Sequence, residues 1–296
     1  MLRARLFGPM TIEVDGRAVP EIAGLRPRAL LAWLLLDPGA HARAHVAARF
    51  WPDVLDTSAR ASLRNALSTI RAALEAAGAV HYLESDRTRV GIAARLPREI
   101  DVELFARLAE RDDPSSLERA FALADAPLLS DLADDWVLEA RDEWRDRLVD
   151  VALRLADRAD ASGDADGAIA WTRRALRHAR LREAVHRALM QRLAAVGERA
   201  EALEAYARLS AILAAEFGTP PSAATRALAA QLRADERAAR AQPPWAEAPP
   251  VAPAPAAARP PLVGRAAELA ALTALWERAR DGTGGVALVT GAPGIG

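Results

Sequence analysis

Three arginines, Arg60, Arg64 and Arg71, recur at spacings of four and seven residues, which on a helix places them along one flank. Thr57 and Ser68 fall beside them, and Asn65 lies further round. These residue types suit the reading of duplex DNA. A guanidinium donates two parallel hydrogen bonds to guanine, an asparagine amide does the same to adenine, and hydroxyls and arginines also reach phosphates. Two further arginines, Arg87 and Arg89, follow a Ser-Asp pair and could reach phosphates or a minor groove. A row of arginines on an amphipathic helix is also what an ordinary solvated face looks like. The elements around it must decide.

The helix that carries them is expected over about Ser58 to Ala77, with Gly78 as its stop. Leu63, Leu67, Ile70 and Leu74 form its apolar stripe. Upstream, two helices are expected over Pro27–Leu36 and Arg43–Phe50, ended by Pro38-Gly39 and Trp51-Pro52. The chain opens with short strands, Arg3–Phe7 and Thr11–Val14. An Asp15-Gly16 turn then leads into Arg17–Val19, a tight hairpin signal because both central residues need positive φ. Downstream of Gly78, the run Val80–Leu83, a polar tip at 85–88 and a return run Arg89–Ile92 predict a second hairpin. Strands, three helices and a hairpin favour the DNA-reading interpretation of the arginine row.

From Asp101 to about Arg240 only helical patterns occur. Gly163, Ala168 and Ile169 recur 34 residues later as Gly197, Ala202 and Leu203, and Leu155 and Ala175 as Leu189 and Leu209. That period belongs to tetratricopeptide-like helix pairs. A Pro/Ala-rich linker follows at 238–261. Beyond it a helix is expected from about Glu268 to Arg280, then a buried strand Val286–Thr290 entering Gly291-Ala292-Pro293-Gly294-Ile295-Gly296. Gly291 and Gly296 have the spacing of a phosphate-cradling loop, with Gly294 between them, but its lysine and hydroxyl would fall after Gly296. A P-loop cut short is therefore expected, without ATP hydrolysis.

Composition narrows the classes. There is no cysteine, which removes disulfides, thiolate catalysis and cysteine-ligated zinc. All 39 basic residues are arginine, and the net charge is -1. Residues 1–100 hold 14 arginines against 10 acids, and the remainder 25 against 30, a basic head on an acidic body. No apolar run is long enough for a membrane span, and a cytoplasmic, nucleoid-associated protein is expected. His41 and His45 have metal-ligand spacing but no third ligand nearby, so no metal is expected. Trp33, Trp51, Trp136, Trp144 and Trp171 are read as packing residues. No nucleophile motif or acid–base pair stands out, and no enzyme is expected.

Several segments together resemble the Streptomyces antibiotic regulatory protein family. They are Leu6-Phe7-Gly8-Pro9, Arg26-Pro27-Arg28-Ala29-Leu30-Leu31, Phe50-Trp51-Pro52-Asp53, Ser58-Ala59-Arg60, and Leu63 to Leu67 with Ile70, Arg71, Ala73 and Leu74. Trp136, Glu139, Leu148 and Gly218-Thr219-Pro220-Pro221-Ser222 extend the likeness, and Pro261-Leu262-Val263-Gly264-Arg265 with Glu268 resembles the entry to the ATPase domain of larger members. The resemblance implies a mainly α protein. A response-regulator-type winged helix at 1–100 precedes an all-α bacterial transcriptional activation domain at 101–237. The linker at 238–261 and an incomplete ATPase start at 262–296 follow. It implies the third helix in the major groove and the hairpin as wing. It also implies contact with RNA polymerase and its sigma factor, and self-association on direct-repeat sites in double-stranded DNA. No cofactor is expected; ATP and magnesium would enter only with a complete ATPase domain.

Overall fold

The computed structural model describes residues 1–241, 265–280 and 286–288. Contacts divide the chain into a unit of residues 1–240 and a second of 241–296.

The first unit begins with β1 (Leu2–Arg5) and β2 (Thr11–Val14), antiparallel with Leu2 opposite Val14. Leu2, Ala4, Ile12 and Val14 face inward and Arg3, Arg5, Thr11 and Glu13 outward, the period-two alternation of a sheet with one wet face. The turn to β3 (Arg17–Ala18) has positive φ at both Asp15 and Gly16, as its sequence requires. α1 (Leu25–Leu36) follows, then the two-residue β4 (His41–Ala42), α2 (Arg43–Phe50) and the 21-residue α3 (Asp56–Ala76). A single 3-10 turn at Val80–Tyr82 leads into β5 (Leu83–Ser85) and β6 (Arg89–Ile92). The strand expected from Val80 therefore starts three residues later. β7 (Arg98–Ile100) pairs parallel to β1, giving a sheet of order β3-β2-β1-β7, while β4 joins the hairpin in the order β4-β6-β5.

Two strands leave no trace in the periodicity. β4 and β7 span two and three residues, too short to show a period, and each exists only through its pairing partner.

The helical part comprises α4 (Asp101–Glu110), α5 (Pro114–Leu123), α6 (Asp135–Ala161), α7 (Ala165–His178), α8 (Glu183–Ala195), α9 (Arg199–Phe217) and α10 (Ala223–Ala241). The 34-residue repeat is visible in its turns. Gly163 and Gly197, both at positive φ, follow α6 and α8 in the same cap. The amide after each glycine bonds back to the carbonyl five residues earlier, Asp164 to Ala159 and Glu198 to Leu193. The paired small positions Ala168 and Ala202 are fully buried, which lets the following helices approach closely.

The core is continuous across both parts. Leu2, Leu6, Leu30, Leu34, Leu63, Ile70, Phe105, Trp136, Val137 and Leu148 belong to one buried cluster. Asp101 fastens the seam, accepting hydrogen bonds from the amides of Leu6, Phe7 and Val102 at 2.8–2.9 Å. Burial pushes its carboxyl pKa up, opposed by those amides.

In the second unit α11 (Ala266–Arg280) forms. Val286, Ala287 and Leu288 lie exposed and outside any strand, which corrects the buried strand expected there. A strand of that kind is stabilised by neighbouring strands, and no partner strand is found among the described residues. The glycines Gly291, Gly294 and Gly296 and most of the linker lie outside the described residues, while α10 carries the preceding helix to Ala241.

Candidate nucleic-acid interface

The site is built on α3. Its buried stripe, Ala59, Leu63, Ala66, Leu67, Ile70 and Leu74, fixes the rotation of the helix. Thr57, Arg60, Arg64, Asn65, Ser68 and Arg71 are all left exposed. Arg60, Arg64 and Arg71 line one wall of an open cleft of about 750 Å³, and residues 85–88 of the β5–β6 hairpin, Arg87 included, line the other. Thr57, Asn65 and Ser68 stand on α3 outside that cleft. Arg89 is exposed too, but its guanidinium donates to the Ala40 carbonyl at 2.9 Å, a brace between β6 and the loop before β4.

The cleft is electropositive. Among the described residues Arg64, Arg71 and Arg87 have no ion-pair or hydrogen-bond partner of their own. Arg60 has only a 3.5 Å pair with exposed Asp56, an arrangement of little energetic weight. The lone acid in the lining is Asp86. Its carboxylate accepts from the amides of Thr88 and Arg89 at 2.6 and 2.8 Å and from the Thr88 hydroxyl at 2.9 Å. Those bonds, led by the Thr88 amide, hold its pKa below the usual range, and they shape the hairpin tip as an Asx-type turn.

One lining residue gives no signal in the sequence. Arg43, the first residue of α2, donates to Ser85 Oγ at 2.8 Å and reaches the Asp86 carbonyl, while its own amide bonds the Thr88 carbonyl at 2.8 Å. The two-residue β4 is what brings it to the hairpin. Gly91 makes that approach possible: a Cβ there would lie 1.5 Å from the Gly39 carbonyl oxygen.

Other candidate residues have structural partners. His41 packs at a tilt against Trp33, ring centroids 4.4 Å apart, and reaches the Asp37 carbonyl at 2.7 Å. Among the described residues no three potential metal ligands come together. Trp136 packs on Phe50, Trp144 on Phe7, and Trp171 on Phe121.

Comparison with known proteins bears on the helical part first. Residues 100–233 match the family model described as bacterial transcriptional activator domain. Among solved structures it is similar to Mycobacterium tuberculosis EmbR in complex with a low affinity phosphopeptide. That likeness has 24% identity and a TM-score of 0.60 over 82% of this chain and 66% of that one. This chain thus spans just under two thirds of the EmbR chain. The shared fold is mainly helical, a mixed β/α region like a winged helix followed by tetratricopeptide-like helices. The C-terminal TPR-containing domain of a Plasmodium falciparum FK506-binding protein is also similar, at 14% identity and a TM-score of 0.35, covering 48% of this chain and 94% of that one. No curated protein matches the sequence. No helix among the described residues is long and apolar enough to cross a membrane.

Proposed function

We propose that this protein is a sequence-specific DNA-binding transcriptional regulator whose α3 enters the major groove. The observation that carries the reading is the set of guanidinium groups of Arg64, Arg71 and Arg87, unpartnered among the described residues, on the facing walls of one cleft. A helix of about 10–12 Å diameter fits the major groove of B-DNA. With α3 there, Arg60, Arg64 and Arg71 reach base edges or phosphates, joined by Thr57, Asn65 and Ser68. The hairpin tip brings Arg87 to the adjacent backbone, with Arg89 behind it as a brace. Arg43 holds the tip against α2.

In this reading residues 1–100 grip the promoter and the helices of 101–237 pass the signal on. They activate transcription through RNA polymerase and its sigma factor, with copies side by side on direct repeats. The protein acts by binding and not by catalysis, in the bacterial nucleoid. Residues 262–296, with Gly291, Gly294 and Gly296, correspond to the opening of a nucleotide-binding domain.

The test is fluorescence anisotropy of the full chain against a library of double-stranded genomic fragments at two salt concentrations. Enrichment of a repeated motif, weakened by salt and reduced in Arg64→Ala, is expected. Weak binding equal for all fragments would instead favour a helical-repeat interaction scaffold.

A further inference from the structure

A second cavity, of about 120 Å³, lies at the seam between the N-terminal sheet and the helical part. Its apolar wall is Phe7, Leu128, Trp144 and Leu148, with Phe7 and Trp144 meeting edge to face at 5.6 Å. A cavity of this order holds a single six-membered ring. The polar groups at it are unequal in sign. Arg141, Arg145 and His178 line it together with one acid, Asp125.

The three cationic or basic groups differ in their availability. Arg141 is committed, donating to the carbonyls of Leu128, Leu129 and Leu132, and so pins the loop that roofs the cavity. Among the described residues Arg145 pairs only with Asp142 one turn back on α6, both partners being substantially exposed, a weak competitor for its guanidinium. His178 makes no hydrogen bond among the described residues. Burial, with Arg177 and Arg145 nearby, holds its pKa below the usual value. Its neutral ring then keeps one N–H free to donate.

We infer that this cavity binds a small monocarboxylate of benzoate size, its ring against Phe7 and Trp144 and its carboxylate accepting from Arg145 and His178. The site would couple to the fold because its walls are the seam itself. The Gly8 amide bonds the Pro127 carbonyl at 3.0 Å and the Leu129 amide bonds the Leu6 carbonyl at 2.7 Å. An occupant touching Phe7 and Leu128 bridges both sides and stabilises the native state by mass action. None of this depends on whether α3 binds DNA.

The experiment is titration of the full chain with benzoate, followed by saturation-transfer NMR and by thermal unfolding. Saturable binding that raises the melting temperature is expected. Benzyl alcohol, which keeps the ring and loses the charge, is expected to bind about tenfold more weakly, and Arg145→Gln to weaken benzoate by a similar factor. Leu148→Trp should fill the cavity and abolish binding. Ala126→Leu, on the roofing loop, does the same from the rim and covers the case in which Leu148→Trp fails to fold. Absence of saturable benzoate binding, equal binding of benzyl alcohol, or benzoate binding unchanged in Ala126→Leu would overturn the assignment.

Discussion

The exposed face of α3 and the contacts among α6, α7 and α8 use arginine in opposite ways. On α3 and the hairpin, Arg64, Arg71 and Arg87 stand in a shared cleft with no partner among the described residues. In the helical part, arginines hold the protein together. Arg154 donates to the Ala109 carbonyl and to Asp112 at 2.6 and 2.9 Å. Arg192, only 12% exposed, reaches Thr172, Asp157 and Asp160 across three helices. The same side chain is a tie where carboxylates and carbonyls converge on it. Where they are withheld it is a free donor for an external anion. A count of charges could not separate the two cases; the partners do.

That contrast predicts a double dissociation. Replacing Arg60, Arg64 and Arg71 together by Ala should weaken DNA binding by about 1–3 kcal/mol for each of them that reads a base. The melting temperature should change little because all three are exposed. Anisotropy and thermal unfolding on the same samples check both halves. A variant that unfolds early would instead make these arginines structural.

Gly91→Ala should act through stability. Its Cβ would meet the Gly39 backbone and not a flexible side chain, so the hairpin must detach or shift at a cost of about 3 kcal/mol. DNA affinity should fall with it because Arg87 and Arg43 leave the cleft. Denaturant unfolding with unchanged midpoint would show that the hairpin does not dock as described.

Arg192→Met sharpens the other side of the contrast. It leaves the buried Thr172 hydroxyl with one partner fewer and two aspartates unpaired, a loss of about 1–3 kcal/mol of stability. Urea unfolding should report that loss, and the DNA affinity of the folded fraction should be unchanged.

The smallest effect is a cap in the helical part. Asp113 accepts from the Ser115 hydroxyl and the Ser116 amide at the start of α5, and its pKa is lowered from 3.8 to about 2. A carboxylate with a depressed native pKa stabilises above its unfolded value, and that contribution fades as pH falls from about 4 to about 2. Thermal unfolding of wild type and Asp113→Asn should therefore differ at pH 5 and converge towards pH 2. A constant difference would show that the ionised form is not what caps α5.

What the sequence makes legible follows from length and period. α3 is 21 residues long and carries one apolar stripe, so its rotation, and with it the exposed arginine row, can be read from the residues alone. The glycine-stopped repeat of the helical part is equally plain because Gly163 and Gly197 each close a helix in the same cap. The cleft as a site is only half visible. Its second wall depends on β4, two residues long, and on Gly91 lying against Gly39, neither of which leaves a local pattern. Arg43 escapes a reading of the sequence for that reason. Proximity in sequence groups Arg89 with Arg87, yet two residues apart at a tight tip one side chain lines the cleft and the other braces the backbone. At Val286–Leu288 an apolar run suggests a strand, although nothing local can distinguish a strand from a segment without its sheet.

The most direct test of the interface uses the absence of cysteine. Ala72→Cys on α3 and Ser162→Cys after α6, both exposed, each give a single attachment point for an iron chelate that cleaves nearby DNA. Placement of α3 in the major groove predicts focal cleavage of an enriched fragment from position 72 and none from position 162. Focal cleavage from position 162, or none from position 72 in a complex that still binds, would contradict it.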